Sequence, residues 1–266
     1  LAAALAAALD GAALGVHYQP EIDVATGDVV AMEALVRWHF GDALLLPGAF
    51  LHLADETGLM GRLTDFVLDT ALRDLASWKA CDLPLRIAVN VAATALGRPG
   101  VADEMLQHVR RYRAQPSEVC IEVTEDSAAS DDITVVENLL QLRLNGFTLA
   151  LDDYGTGCAT LQQLHRLPLT QLKVDRSFVY NASREPRLRE LLGSSIELGR
   201  RLGLQTVAEG VEKDEDLTLV RALGCALAQG HLFARPMPAD AVPDWHNGWT
   251  RQRKGSSEQV FRADLT

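Results

Sequence analysis

The sequence lacks several features that would assign it to a common class. It has four cysteines in 266 residues and no C-x-x-C pair. This indicates reduced thiols in a cytosolic protein, not a disulfide framework or a cysteine zinc site. Its seven histidines form no H-E-x-x-H spacing. No apolar run reaches the roughly 18 residues of a membrane span, and no signal peptide is evident. Any metal is therefore expected to have oxygen ligands.

The chain also has fewer basic than acidic residues. The chain has 36 acidic and 25 basic residues, for a net charge of -11. Because binding a nucleic-acid polymer requires a basic surface, this balance argues against such a partner. It does not exclude a small phosphorylated ligand, since metal ions can bridge an anionic protein to an anionic substrate. Hydrophobic residues make up 48% of the chain, enough for a sizeable core.

Strand and helix patterns alternate along the chain. An opening hairpin is predicted from Val16–Pro20 and Asp28–Trp38, and about seven strand-helix units follow. This number favours an α/β fold of the TIM type, a (β/α)8 barrel, over an open doubly wound sheet. No G-x-G-x-x-G follows the first strand to indicate dinucleotide binding.

Three regions are predicted from this pattern. Residues 1–14 are alanine-rich and form a helical lead-in or linker, residues 15–243 form the barrel, and residues 244–266 form a polar appendage, peripheral or partly disordered. The first residue is Leu1 and not Met, so we expect an upstream segment in a longer protein.

Two adjacent acids, Asp152 and Asp153, end an apolar strand and precede a glycine-rich turn. Neighbouring carboxylates repel one another, and a divalent cation would reverse that cost. The alternative is a solvated turn in which an Asp caps a helix.

Polar residues recur where the other strands end. In a barrel these ends form the catalytic face. Each residue alone has a structural explanation, such as a turn, a helix cap or an ion pair, but their recurrence on strand after strand favours a site. Besides the two aspartates, the residues are Glu33 within the second hairpin strand, Asn90, Glu122, Lys173, Asp175, Glu209 and Gln229.

The chemistry that this set suggests is two-metal hydrolysis of a phosphodiester. Asp152 is the natural carboxylate to be shared between the metals. Lys173 could hold the attacking water or offset charge in the transition state. Arg37 could reach a substrate phosphate, or could form an exposed ion pair.

The motifs together resemble those of EAL domains, bacterial phosphodiesterases that cleave cyclic di-GMP to linear pGpG. The resemblance runs from about residue 15 to residue 243, in family order. Its segments are Tyr18-Gln19-Pro20, Glu33-Ala34-Leu35-Val36-Arg37-Trp38, Pro47 to Gly58, Val89-Asn90-Val91, Glu122-Val123-Thr124-Glu125, Asp152 to Gly157, Leu172-Lys173-Val174-Asp175, Glu209-Gly210-Val211-Glu212 and Gln229-Gly230.

The resemblance implies a role for each matching position. One Mg²⁺ or Mn²⁺ would be held by Glu33, Asn90, Glu122 and Asp152, and a second by Asp152, Asp153 and Glu209. Lys173 would contact the catalytic water, and Glu209 is either a ligand or a general base. Glu125 would anchor the loop after Asp153. The residues around the substrate would be Gln19, Arg37, Asp175, Glu212 and Gln229.

The resemblance also implies one antiparallel barrel strand, a cytoplasmic location, a homodimer through the loop after Asp153, and an upstream GGDEF or sensory domain. The chain departs from the family in that loop, where Cys158-Ala159-Thr160 replaces the usual Tyr-Ser-Ser. The alternative to an active phosphodiesterase is therefore a weak or inactive EAL domain that acts as a receptor for cyclic di-GMP.

Overall fold

A single sheet closes on itself in the computed structural model, which describes residues 1–128, 132–157, 164 and 166–263. The strands of this sheet are β1 (Leu14–Asp23), β2 (Val29–Phe40), β3 (Ala43–Leu45), β4 (Arg86–Asn90), β5 (Val119–Thr124), β6 (Thr148–Tyr154), β7 (Gln171–Val174), β8 (Gln205–Ala208), β9 (Leu227–Gln229) and β10 (Met237–Pro238).

Eight of these strands make a closed barrel. The order β1-β9-β8-β7-β6-β5-β4-β2 is completed by the pairing of β1 with β2, while β3 and β10 lie outside. Strand β1 runs antiparallel to both of its barrel neighbours, and the remaining barrel strands pair in parallel. The predicted barrel with one antiparallel strand is confirmed.

Helices connect the strands on the outside. They are α1 (Ala2–Leu9), α2 (Leu51–Glu56), α3 (Met60–Lys79), α4 (Ala93–Leu96), α5 (Val101–Arg111), α6 (Glu125–Ala128), α7 (Ile133–Leu144), α8 (Arg176–Val179), α9 (Pro186–Arg201), α10 (Asp214–Ala222) and α11 (Val242–Ala263). Apolar residues recur along one face of α3, so Leu68, Leu72 and Leu75 are buried against the barrel.

The alternation of side chains along each strand separates two environments. On β4 and β5, Ile87, Val89 and Ile121 belong to the large core beneath the helices. Their neighbours Ala88 and Cys120 form a separate small cluster with Ala150. Because successive side chains point to opposite faces of a sheet, this second cluster lies inside the barrel. The polar residues at the strand ends project from the same inner face.

The chain ends contact the barrel from outside. Leu5 and Ala8 of α1 are buried, and α1 ends at Leu9, before β1 begins. Residues 244–263 continue in α11. There the indole of Trp249 donates a hydrogen bond of 3.0 Å to the carbonyl of Gly27 in the turn between β1 and β2. Within the described ranges, no helix is long and apolar enough to cross a membrane.

Candidate active site

Five carboxylates form two overlapping groups at the mouth of the barrel. Glu33, Glu122 and Asp152 place one oxygen each within 4.8 Å of one another, and Asp152, Asp153 and Glu209 do the same. Each group could hold a metal ion, and Asp152 belongs to both. Four of these acids lie on β2, β5 and β6, and Glu209 directly follows β8. Parallel pairing joins these strands through β4 and β7, which brings their carboxyl ends to one face.

Two consecutive strand residues normally point to opposite faces, yet Asp152 and Asp153 share a metal-binding group. The explanation is a bulge in β6. Between the pairs Leu151–Leu172 and Tyr154–Val174, β6 advances three residues while β7 advances two. Asp153 also has a φ of +56°, a left-handed conformation that is costly for a non-glycine residue. Such strain is typical of functional positions.

Lys173 lies at the centre of the acidic groups and is fully buried. Its Nζ atom lies 2.8 Å from Glu122 Oε1, 3.0 Å from Asp152 Oδ1, 2.8 Å from Glu209 Oε1 and 3.8 Å from Glu33 Oε2. Burial by itself would lower the pKa of Lys173, but these carboxylates raise it well above its usual range. The side chain is therefore a permanent cation at neutral pH.

Three of these acids, Glu122, Asp153 and Glu209, have raised pKa values because they are buried beside other carboxylates. Burial raises the pKa of Glu122 and of Glu209 well above the usual range, although Lys173 opposes the rise. Burial, with the charges of Asp152 and Asp175, raises the pKa of Asp153 to about 6. Lys173 does not fully compensate the negative charge of these carboxylates, and bound protons or metal cations would complete the compensation.

The charge balance fits a pair of divalent cations. When all are ionised, the five carboxylates of the two groups and the ammonium of Lys173 carry a net charge of −4, which two divalent ions would neutralise. Two buried oxygens, Glu122 Oε1 and Asp152 Oδ1, contact Lys173 but accept no well-directed hydrogen bond. Oxygen donors of this kind are the ligands that Mg²⁺ and Mn²⁺ prefer.

Asn90 lies between two of the acids. Its Nδ2 donates to Glu33 Oε1 at 2.8 Å and to Glu122 Oε2 at 3.1 Å. A metal ligand at this position would use the Oδ1 atom instead, so cation binding requires the amide to turn over. Asn90 thus holds the two carboxylates together in the arrangement seen here.

Glu125 connects β5 to the glycine-rich turn after Asp153. Its buried carboxylate accepts hydrogen bonds from the backbone N–H groups of Gly155, at 3.2 Å, and of Gly157. Gly155 has a φ of +108°, and a Cβ there would clash with the ring of Phe178. The turn therefore requires glycine on two grounds. The departure at Cys158-Ala159-Thr160 lies outside the described residues.

Two cavities meet at the acidic groups. The larger one, of 380 Å³, has an apolar wall that includes Pro47, Leu51, Met60, Leu63 and Val67. The smaller one, of 260 Å³, has a polar wall that includes Gln19, Asp175, Arg176, Glu212, Gln229 and His231. Four residues line both cavities, namely Glu33, Leu35, Asp152 and Asp153. We call these four residues the ridge.

Four of the five residues predicted to surround a substrate line the polar cavity. Gln229 donates to Glu33 Oε2 at 2.6 Å and approaches Gln19 Oε1 at 3.4 Å, which links the cavity wall to the ridge. Asp175 caps α8 by accepting from the N–H of Ser177. The fifth residue, Arg37, lines neither cavity. It is buried and donates to the carbonyl of Val36.

The sequence reasoning missed several residues of the site. Arg176 and His231 line the polar cavity, and each directly follows a predicted strand-end motif. Scanning one residue past each motif would have found them. The apolar wall could not be predicted from the sequence, because its helical residues follow the same pattern as ordinary core residues of α2 and α3. Glu21, a buried acid inside the barrel, was also missed.

Comparison with known proteins places this geometry in a family. A family model described as "EAL domain" matches residues 2–236. The cyclic di-GMP phosphodiesterase NbdA of Pseudomonas aeruginosa is 40% identical over 234 residues, which cover 87% of this chain and 30% of NbdA. The bifunctional diguanylate cyclase/cyclic di-GMP phosphodiesterase MucR of the same organism is 37% identical over 237 residues, which cover 88% and 35%. The chain spans about a third of the length of these curated relatives.

A solved structure described as a PaMucR phosphodiesterase in complex with c-di-GMP superposes with a TM-score of 0.85 at 36% identity. The match covers 90% of this chain and 97% of that one.

Proposed function

The chain belongs to the EAL domain family, and we propose that it is a metal-dependent phosphodiesterase that hydrolyses cyclic di-GMP to linear 5′-pGpG. The observation that carries the proposal is the shared carboxylate. Asp152 belongs to both acidic groups, and its strand bulges so that Asp153 joins the second group. This is the arrangement that two-metal hydrolysis of a phosphodiester requires.

We assign Glu33, Asn90, Glu122 and Asp152 to one Mg²⁺ or Mn²⁺, and Asp152, Asp153 and Glu209 to the other. When bound, the two ions would polarise a phosphate oxygen and lower the pKa of the attacking water. Glu209 has a second possible role as a general base, because its pKa is raised by burial.

Lys173 supports the attack from inside the barrel. Its ammonium is buried and surrounded by the ligand carboxylates, so it can donate a hydrogen bond to the attacking water and offset charge on the phosphate in the transition state. In the metal-free protein these carboxylates hold the pKa of Lys173 well above its usual range, so the ammonium carries its proton at neutral pH.

The two cavities suit the two halves of a cyclic dinucleotide. With the scissile phosphate over the ridge, one nucleobase would enter the apolar cavity and the other the polar cavity. Gln19, Asp175, Glu212 and Gln229 would then offer hydrogen bonds on the polar side. Arg37 is buried and forms no ion pair in the described part of the chain, which leaves its guanidinium available to a phosphate after a side-chain shift.

The same proposal extends to the protein's assembly. We assign a homodimer contact to the loop after Asp153, which Glu125 anchors, and a GGDEF or sensory domain upstream in a cytoplasmic protein. Relatives that are two to three times longer than this chain support the upstream domain.

Incubation of the purified chain with cyclic di-GMP and Mn²⁺ tests the function, with chromatography to detect pGpG. We expect pGpG with Mn²⁺ or Mg²⁺ and none with EDTA. Tight binding of cyclic di-GMP with metal present and no pGpG would contradict the proposal and identify the chain as a receptor.

A further inference from the structure

Glu21 is a buried acid that the proposed mechanism does not use. It is 1% exposed, and its Oε1 atom has no hydrogen-bond partner in the described structure. Burying a carboxylate without a partner is costly, so a residue kept in this position has a stabilising interaction or a function.

The position of Glu21 follows from the register of β1. Gln19, two residues earlier and on the same face, lines the polar cavity, so Glu21 also points into the barrel. Gln19 lies opposite Glu33 on β2, and Glu21 lies opposite Ala31, two residues before Glu33. Glu21 is therefore one layer deeper in the barrel than Gln19 on the same strand, and on its other side it pairs with Gln229 of β9.

Small side chains occupy the barrel interior below the strand ends. Ala88, Cys120 and Ala150 cluster there, where bulky branched side chains fill most barrels of this type. The thiol of Cys120 donates to Gln171 Oε1 at 3.3 Å and does not engage Glu21. A polar group beside small side chains is the setting in which proteins hold internal water.

The buried cation that interacts electrostatically with Glu21 is Lys173. The charge of Lys173 favours ionisation of Glu21, whereas Glu33 and Asp152 oppose it, so all three lie within electrostatic reach. Burial and these two acids raise the pKa of Glu21 to about 7. Glu21 is not among the acids within ion-pairing distance of Lys173, so its influence passes through the local field or an internal water.

The carboxylates that pair with Lys173 all have a second task. Glu33, Glu122, Asp152 and Glu209 each belong to a group that could hold a metal. Once they bind cations, the net charge of the two groups with Lys173 is zero, but the carboxylates that contact the ammonium are also the metal ligands, so a further acid nearby would relieve that competition. Among the described acids inside the barrel, Glu21 lies within reach and outside both metal-binding groups.

We propose that Glu21 is a positioning residue that serves as the counter-charge of Lys173 when the ligand carboxylates are engaged by cations. It frees those carboxylates from competition with the ammonium and holds Lys173 in place for the reaction. The expected effect on kcat rests on the proposed function. The expected effect on Mn²⁺ affinity rests only on the two metal-binding groups.

The test compares Glu21→Gln, which keeps the shape and removes the charge, with the unaltered chain. Titration calorimetry of the metal-free protein with Mn²⁺, without substrate, is expected to show about tenfold weaker binding in the variant. In turnover of cyclic di-GMP at saturating Mn²⁺ we expect a roughly tenfold lower kcat with an unchanged KM, because Lys173 acts on the reaction and not on substrate binding.

Two further variants separate charge from packing. Cys120→Ala changes the same layer without changing its charge, and it should leave Mn²⁺ affinity and kcat unaltered. Glu21→Asp keeps the charge and should retain most of the Mn²⁺ affinity. If Glu21→Gln fails to fold, Glu21→Ala removes the charge in its place and should show the same loss of Mn²⁺ affinity.

Equal Mn²⁺ affinity and kcat in Glu21→Gln and the unaltered chain would overturn the proposal, and so would a change in KM alone. If the unaltered chain forms no pGpG, the proposed function fails, while the calorimetric comparison still decides whether Glu21 supports metal binding.

Discussion

The two cavities at the barrel mouth differ in wall chemistry although they share the ridge. The apolar cavity is built from α2, α3 and the turn before them, with Leu51, Met60 and Leu63 in its wall. The polar cavity is built from strand ends, with Gln19, Glu212 and Gln229 in its wall. The difference separates two tasks: the helical wall mainly adds apolar contact area, with Thr64 of α3 as a polar exception, whereas the strand ends select by hydrogen bonds and charge.

The ridge lines both cavities. Its carboxylates therefore act on the reacting phosphate, whichever cavity wall contributes more to substrate binding. A loss of ridge carboxylates should therefore affect kcat, and a change in either wall should affect KM. The predictions below test this division, from the largest expected effect to the smallest.

Asp152→Ala should have the largest effect, because it removes the ligand common to both metal-binding groups. We expect turnover of cyclic di-GMP to fall by about a thousandfold or more, with the fold retained. Glu33→Ala, which affects one group, should also abolish measurable turnover. The measurement is the rate of pGpG formation, with circular dichroism and the melting temperature as controls for folding.

Retention of most activity by Asp152→Ala would show that the ridge is not the catalytic centre. A collapse of the fold is not expected, because Asp152 lies at the strand end and not in the apolar core.

Glu125→Gln should have the next largest effect. The variant keeps the side-chain shape but loses the negative charge that accepts from the N–H groups of Gly155 and Gly157. We expect kcat to fall by about 10- to 100-fold, because the turn that follows Asp153 is released. The measurement is steady-state kinetics with cyclic di-GMP. An unchanged kcat would show that the turn holds its conformation without the charge.

The barrel and the ring of acids could be predicted from the sequence because both leave local signals. Strand and helix periods alternate, and polar residues recur at strand ends such as Asn90, Glu122 and Lys173. The bulge that turns Asp153 into the site could not be predicted, because it depends on the pairing of β6 with β7. The burial of Glu21 could not be predicted either, because it depends on the closure of the barrel and not on the local sequence of β1.

The two walls can be separated by a pair of variants. Leu51→Ala shortens a side chain of the apolar wall, and we expect KM for cyclic di-GMP to rise by about tenfold with kcat retained. Arg176→Met removes a charge from the polar wall at similar length. It should raise KM only severalfold, by about 3 to 5 times, since exposed charges are screened by salt.

Salt distinguishes the two effects. The KM of the unaltered chain and of Leu51→Ala should rise with ionic strength, whereas that of Arg176→Met should rise less. The same salt dependence in all three proteins would show that Arg176 does not face the substrate.

The smallest expected effect concerns the pH dependence of stability, which tests the ridge without any substrate. In the folded protein the pKa of Asp153 is raised from 3.8 to about 6 by burial and by Asp152. A group with a raised folded pKa binds more protons folded than unfolded, so the free energy of unfolding falls as pH rises through this window. We therefore expect the metal-free protein to lose stability between about pH 4 and pH 6, with melting temperatures measured in EDTA.

One surface acid opposes this trend in the lower part of the window. Hydrogen bonds from Arg200 and Arg201 hold the pKa of the exposed Glu197 at about 2, so its contribution to stability still grows up to its unfolded pKa of 4.5 and is the same with and without the Asp153 carboxylate. In Asp153→Asn the decrease between pH 4 and pH 6 should be smaller, and with saturating Mn²⁺ it should disappear, because the ridge carboxylates then bind cations in place of protons. A melting temperature that rises over this range in EDTA would mean that the acids of the ridge are compensated within the protein itself, and the argument for two cations from charge would lose its basis.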